Sequence, residues 1–108
     1  MNDKENTLDK IIDIVAKCTS YESVGLPVIT RKQLLGDCRN ENVSMARSIL
    51  VLQLKHEGYT VTTIAALLGR TEQAIRKLIT KGYNNISSSR VCRKAAAQIV
   101  LEVEKLYE

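Results

Sequence analysis

Residues 64–78 read IAALLGRTEQAIRKL, two short runs of helical apolar spacing that meet at a single glycine. This stretch limits what the chain can fold into more than any other. Two helices joined by so short a turn must cross steeply. The residue facing the crossing then has to be small, and the turn residue has to tolerate positive φ. Ala65 stands four residues before Gly69, and Ile64, Leu68, Ile75 and Leu78 place aliphatic side chains at the other inward positions. The spacing predicts a helix over 61–68, a tight turn at Gly69 and a second helix over 71–81, which together make a helix-turn-helix. A purely structural αα-hairpin would satisfy the same apolar pattern, but it asks nothing of the outward side of the second helix. That side carries Thr71, Glu72, Gln73, Arg76, Lys77 and Lys81. Gln and Arg can bond base edges bidentately, a Thr methyl can meet thymine, and Lys and Arg pair with phosphates.

The remaining segments fit an all-α compact bundle of about six helices in one domain spanning 1–108. Four tyrosines are the only aromatic residues, so a core must come from Leu, Ile, Val and Ala, which suits small packed helices. Residues 7–18 space Leu8, Ile11, Ile12, Val15 and Cys18 along one face, with Asn6 or Thr7 as the expected cap. Gly25 and Pro27 mark a loop. Thr30 and Gln33 have capping-box spacing ahead of a short helix that Gly36 should end. Ser44 is the expected cap of a helix over 45–57. Its apolar residues Met45, Ile49, Leu50, Leu52 and Leu54 nearly encircle it, so it reads as the central buried helix, closed by Gly58. Gly82 is expected to stop the helix that begins at residue 71, and NNISSS then reads as a polar hinge. A last helix over 89–107 sets Val91, Ala95, Ile99, Val103 and Leu106 on one stripe, widened by Cys92, Ala96 and Val100.

The formal net charge of +4 is modest, but its distribution is not even. Residues 70–94 hold seven Lys or Arg and one acid, Glu72, whereas residues 1–23 hold three Lys and five acids. A concentrated basic block suits a polyanion, and a solvated helical face is the plainer alternative. The three cysteines, Cys18, Cys38 and Cys92, form no C-x-x-C pair and sit in or beside apolar helical patterns. Free thiols in a reducing compartment follow, and with no signal-peptide core or transmembrane run in the sequence the expected location is cytoplasmic, away from membranes. His56 is the only histidine, and no Cys or acid stands at ligand spacing around it. No nucleophile–base arrangement is present either, so the expectation is a non-enzyme without metal or cofactor.

The motif region and its flanks resemble the C-terminal DNA-binding domain of the bacterial chromosomal replication initiator DnaA, an all-α, Trp-repressor-like helix-turn-helix module. The matching features are the Ile11–Val15 step in the first helix, the Leu34–Leu35 pair, Arg39, and Ala46–Arg47 opening the long helix. Ile64 and Gly69–Arg70 complete the match, which covers nearly the whole chain, with residues 20–29 as an insertion. The resemblance implies a double-stranded DNA partner, Arg39 in the minor groove, Arg47 near the DNA backbone, and a phosphate held by Thr62 and Thr63. A narrow A·T-rich groove concentrates negative potential, which suits an arginine, and helix N-termini suit phosphate. The family reads G-R-D-H-T-T-V where this chain has Gly69, Arg70, Thr71, Glu72, Gln73, Ala74 and Ile75, so its base-reading residues are replaced. No G-x-x-x-x-G-K-[ST] occurs, which leaves a DNA-reading module without the ATPase. The process would be replication or transcription regulation.

Two points stay open in the sequence. Arg90, Arg93 and Lys94 can extend a phosphate-binding surface or form a solvated helix end. The last helix, with Ala95–Ala96–Ala97 and its aliphatic stripe, can dock internally or on a second copy to give a homodimer. The competing function is a protein-interaction adaptor that keeps the fold without DNA contact. RNA binding is disfavoured by the lack of an aromatic stacking platform.

Overall fold

A computed structural model of the chain describes residues 3–19, 29–36 and 40–107. They form six helices in the order α1 (Asp3–Cys18), α2 (Arg31–Leu35), α3 (Glu41–His56), α4 (Val61–Leu68), α5 (Glu72–Ser88) and α6 (Arg90–Lys105), with no strand among the described residues. The all-α expectation holds. All six helices feed one buried cluster, and Ile11, Leu34, Leu50, Leu54, Ile64, Ile75 and Ile99 are fully enclosed within it. Helix α3 is the central element, as its all-round apolar pattern required. It packs on α1, α2, α4 and most extensively on α5, while α6 closes the bundle against α1 and α5. Among the described residues no helix is long and apolar enough to cross a membrane.

The helix ends follow local chemistry, though not always at the expected residue. Thr30 and Gln33 form the capping box: the Thr30 hydroxyl accepts from Gln33 N at 3.1 Å, and Gln33 Oε1 accepts from Thr30 N at 3.0 Å. Helix α1 begins at Asp3, so Asn6 and Thr7, the expected caps, fall within it. Helix α3 starts four residues before the expected position. Asn40 caps it by accepting from Asn42 N at 2.9 Å, Glu41 occupies the first turn, and Ser44 falls within the helix. Gly58, at φ 99°, ends it. The expected loop with Gly25 and Pro27 lies outside the described residues.

The main correction concerns Gly82. It does not stop α5, which runs through NNISS to Ser88. Gly82 is buried in a helical turn where α3 comes close. A Cβ there would lie 2.6 Å from Leu52 Cδ1 and 3.1 Å from the Ser48 carbonyl oxygen. This glycine therefore serves close helix packing, and the polar hinge expected after it does not exist. Ser89 alone separates the last two helices. Its backbone N–H returns to Asn85 O at 2.8 Å and its hydroxyl accepts from Cys92 N at 3.3 Å, so one residue ends α5 and begins α6. The buried stripe of α6 is Cys92, Ala95, Ile99 and Val103, and Val91 is 51% exposed instead of leading it.

Candidate nucleic-acid interface

Helices α4 and α5 meet through Gly69, which adopts φ 62°, ψ 37°. Its N–H reaches Ala66 O at 3.3 Å and the Arg70 N–H reaches Ala65 O at 2.9 Å, the double closure that ends a helix at a left-handed residue. Thr60 caps α4 by accepting from Thr63 N, and Thr71 caps α5 by accepting from Ala74 N at 3.1 Å. Ile64, Ala65, Leu68 and Ile75 are buried, and Leu78 packs half-buried beside them. The apolar half of the hairpin thus lies where its spacing required. The polar half of α5 faces outward.

Each residue expected at an interface has a definite place, except Arg39, which lies outside the described residues. Gln73, Arg76 and Lys77 are exposed on one side of α5, with Thr71 exposed at its cap. Arg76 stands 3.6 Å from Glu72, a solvent-exposed i,i+4 pair worth a few tenths of a kcal/mol, so its guanidinium remains available. Glu72 also accepts from the Thr62 hydroxyl at 3.2 Å, linking the starts of α4 and α5. Thr63 is exposed as well, and its hydroxyl is paired with that of Thr60 at 2.9 Å. Lys81 is half-buried and turns toward α3, where its Nζ donates to Ser44 Oγ at 2.7 Å.

Two arginines face inward. Arg47 is only 5% exposed; its Nε donates to Leu34 O at 2.9 Å and its Nη2 donates to Gln33 O at 2.9 Å and Gly36 O at 2.8 Å. This corrects the expectation of a contact with the DNA backbone: Arg47 satisfies the last carbonyls of α2, which a five-residue helix cannot satisfy for itself. Arg70 is half-buried and donates from Nη2 to the same Gly36 oxygen at 2.6 Å, tying the α4–α5 turn to the end of α2. Arg93 donates to Ile86 O at 3.3 Å and Ser87 O at 3.1 Å, closing the C-terminal end of α5, while Arg90 and Lys94 are exposed.

Thr80 is exposed on the face that begins with Gln73, and the uninterrupted α5 adds exposed Asn84 and Ser87 to it. The signal for them is the apolar period, which continues from Leu78 and Ile79 through Gly82 to Ile86. From Glu72 the next acid in the chain is Glu102, and six cations lie between them. Among the described residues no three metal-ligating side chains come together. Comparison of the chain with protein-family models, curated proteins and solved structures gives no match.

Proposed function

We propose that the protein binds duplex DNA in a sequence-dependent way, with α5 against the major groove, as a regulator of replication or transcription. The observation that carries this reading is the exposed Gln73–Arg76–Lys77 face of α5, held on a capped helix and followed by a long acid-free stretch. The side chains combine one amide suited to base edges with two cations suited to phosphates or guanine. The mechanism is binding without chemistry: the cations displace condensed counterions, so affinity falls steeply with salt. Exposed Thr63 stands in the first turn of α4, where N–H groups and the helix dipole suit a phosphate, whereas Glu72 sets a carboxylate beside Thr62 and Thr71. The resemblance to the initiator's DNA-binding domain supports the same partner and gives Arg39 its minor-groove role. Arg47 and Arg70 contribute indirectly, by fixing the end of α2 against the α4–α5 turn.

Gel shifts on duplexes selected from a random library test the proposal. Arg76→Ala and Lys77→Ala should each weaken binding by about 1–3 kcal/mol if they reach bases. Gln73→Ala should relax sequence preference more than it lowers nonspecific affinity. If neither cation variant changes affinity, α5 is not the contact. A partner protein bound to this face with no salt dependence would favour the adaptor reading instead.

A further inference from the structure

We infer that α5 lies lengthwise along the groove, so that Thr80 and Asn84 in its middle and later turns read base edges beyond those met by Gln73 and Arg76. The inference rests on the duplex-DNA reading above and concerns how much of the helix is used.

Three observations point to lengthwise docking rather than insertion of the helix tip. First, α5 has 17 residues, about 25 Å of helix, because Gly82 packs against α3 instead of ending it. Second, Gln73, Arg76, Lys77, Thr80 and Asn84 recur at intervals of three, one, three and four residues, which keeps them on one side, and all are exposed. Ser87 carries that side into the last turn. A ridge used only at its tip has no need of polar, acid-free side chains along its whole length. Third, the tip is poorly suited to enter a groove alone. Glu72, the first residue of α5, has a side chain 48% exposed and places a carboxylate where phosphates and base acceptors would approach. Positive charge begins a turn later, at Arg76 and Lys77.

The chemistry of the later residues matches this placement. Asn can bond adenine at N6 and N7 together, and a threonine can present a hydroxyl to a base edge or a methyl to thymine. Arg90 and Lys94, in the first turns of α6, follow the far end of α5 along the chain. Lys81 turns to Ser44, and Arg93, though exposed, folds back onto the α5 carbonyls, which leaves Arg90 and Lys94 as the exposed cations offered just beyond Ser89. They fit the phosphates flanking the bases met by Asn84.

The test is selection from a random duplex library with the full chain, comparing the wild type with Gln73→Ala, Thr80→Ala and Asn84→Ala. All three positions are exposed, and circular dichroism would confirm an unchanged helix content. Lengthwise docking predicts that Asn84→Ala loses preference at one end of the selected motif and Gln73→Ala at another position. It also predicts a drop of roughly five- to tenfold in affinity of Asn84→Ala for the wild-type duplex. Arg90→Ala with Lys94→Ala should lower the salt slope by about 1 for each phosphate no longer neutralised. If Arg76→Ala abolishes preference while Thr80→Ala and Asn84→Ala leave motif and affinity unchanged, the DNA reading stands and lengthwise docking is wrong. A wild type that selects no duplex overturns both.

Discussion

Replacing Arg47 by methionine separates two roles that an arginine at this position could have. Methionine keeps most of the aliphatic packing and removes only the guanidinium. In the native fold that guanidinium bonds the carbonyls of Gln33, Leu34 and Gly36. Gly36 O would keep its bond from Arg70, which leaves the Gln33 and Leu34 oxygens without this donor. A buried acceptor left unpaired costs about 1–3 kcal/mol, so two give about 2–6 kcal/mol. Leu34 is fully buried but Gln33 is half-buried, so water can recover part of the second cost. The expected loss is therefore about 2–4 kcal/mol, in the lower half of that range. Urea denaturation followed by circular dichroism measures it. Duplex affinity measured where the variant is folded should match the wild type. A variant as stable as the wild type that binds DNA poorly would refute the reasoning and put Arg47 on the phosphate backbone.

Other substitutions probe the turn, the helix contact and the thiols. Gly69→Ala meets no atom within 4 Å of the new Cβ, so its cost is the left-handed backbone alone, about 1 kcal/mol net in urea denaturation; no loss would mean that the turn relaxes away from φ 62°. Gly82→Val forces a branched side chain against Leu52 and Ser48 and should destabilise by about 1–3 kcal/mol in the same assay, and a variant as stable as the wild type would mean that α3 does not pack against this turn. Burial pushes the Cys18 thiol above the ordinary 9.0, the Glu102 carboxylate adds to this, and Lys17 opposes it. The protonated thiol is the form favoured in the fold, so its contribution is complete below that ordinary value and fades as pH rises through the raised one. Peptide-resolved iodoacetamide labelling at mildly alkaline pH should modify Cys18 more slowly than free glutathione, and equal rates would contradict its half-buried position.

The hairpin core is legible because its requirements are local. Ala65, Gly69 and the aliphatic positions around them have to satisfy sterics within a few residues of one another. The same holds for the Thr30–Gln33 capping box and for the apolar surround of α3. Gly82 and Arg47 mislead for the opposite reason. Glycine after a lysine-ended helical run looks like a stop, and only the approach of α3 to its bare Cα shows otherwise. An arginine next to Ala46 looks like surface until the carbonyls of a helix more than ten residues earlier converge on it. The sequence does hold a signal: Arg47 lies four residues after Val43 and four before Val51, inside the apolar arc of a buried helix. On α5, Gln73, Arg76 and Lys77 are legible as outward positions because their period is set by Ile75 and Leu78. The same period reaches Thr80, whereas the extension to Asn84 is hidden behind Gly82.

The most direct measurement is the affinity of the protein for a library-selected duplex across a series of salt concentrations, followed by fluorescence anisotropy. With Lys77, Arg90 and Lys94 as phosphate contacts, log K should fall against log salt with a slope of about −3. The Arg76→Ala, Lys77→Ala double variant should flatten it by about 1 and weaken binding at every salt concentration. A slope near zero, or a double variant that binds as the wild type does, would contradict the assignment of α5 as the DNA-binding face.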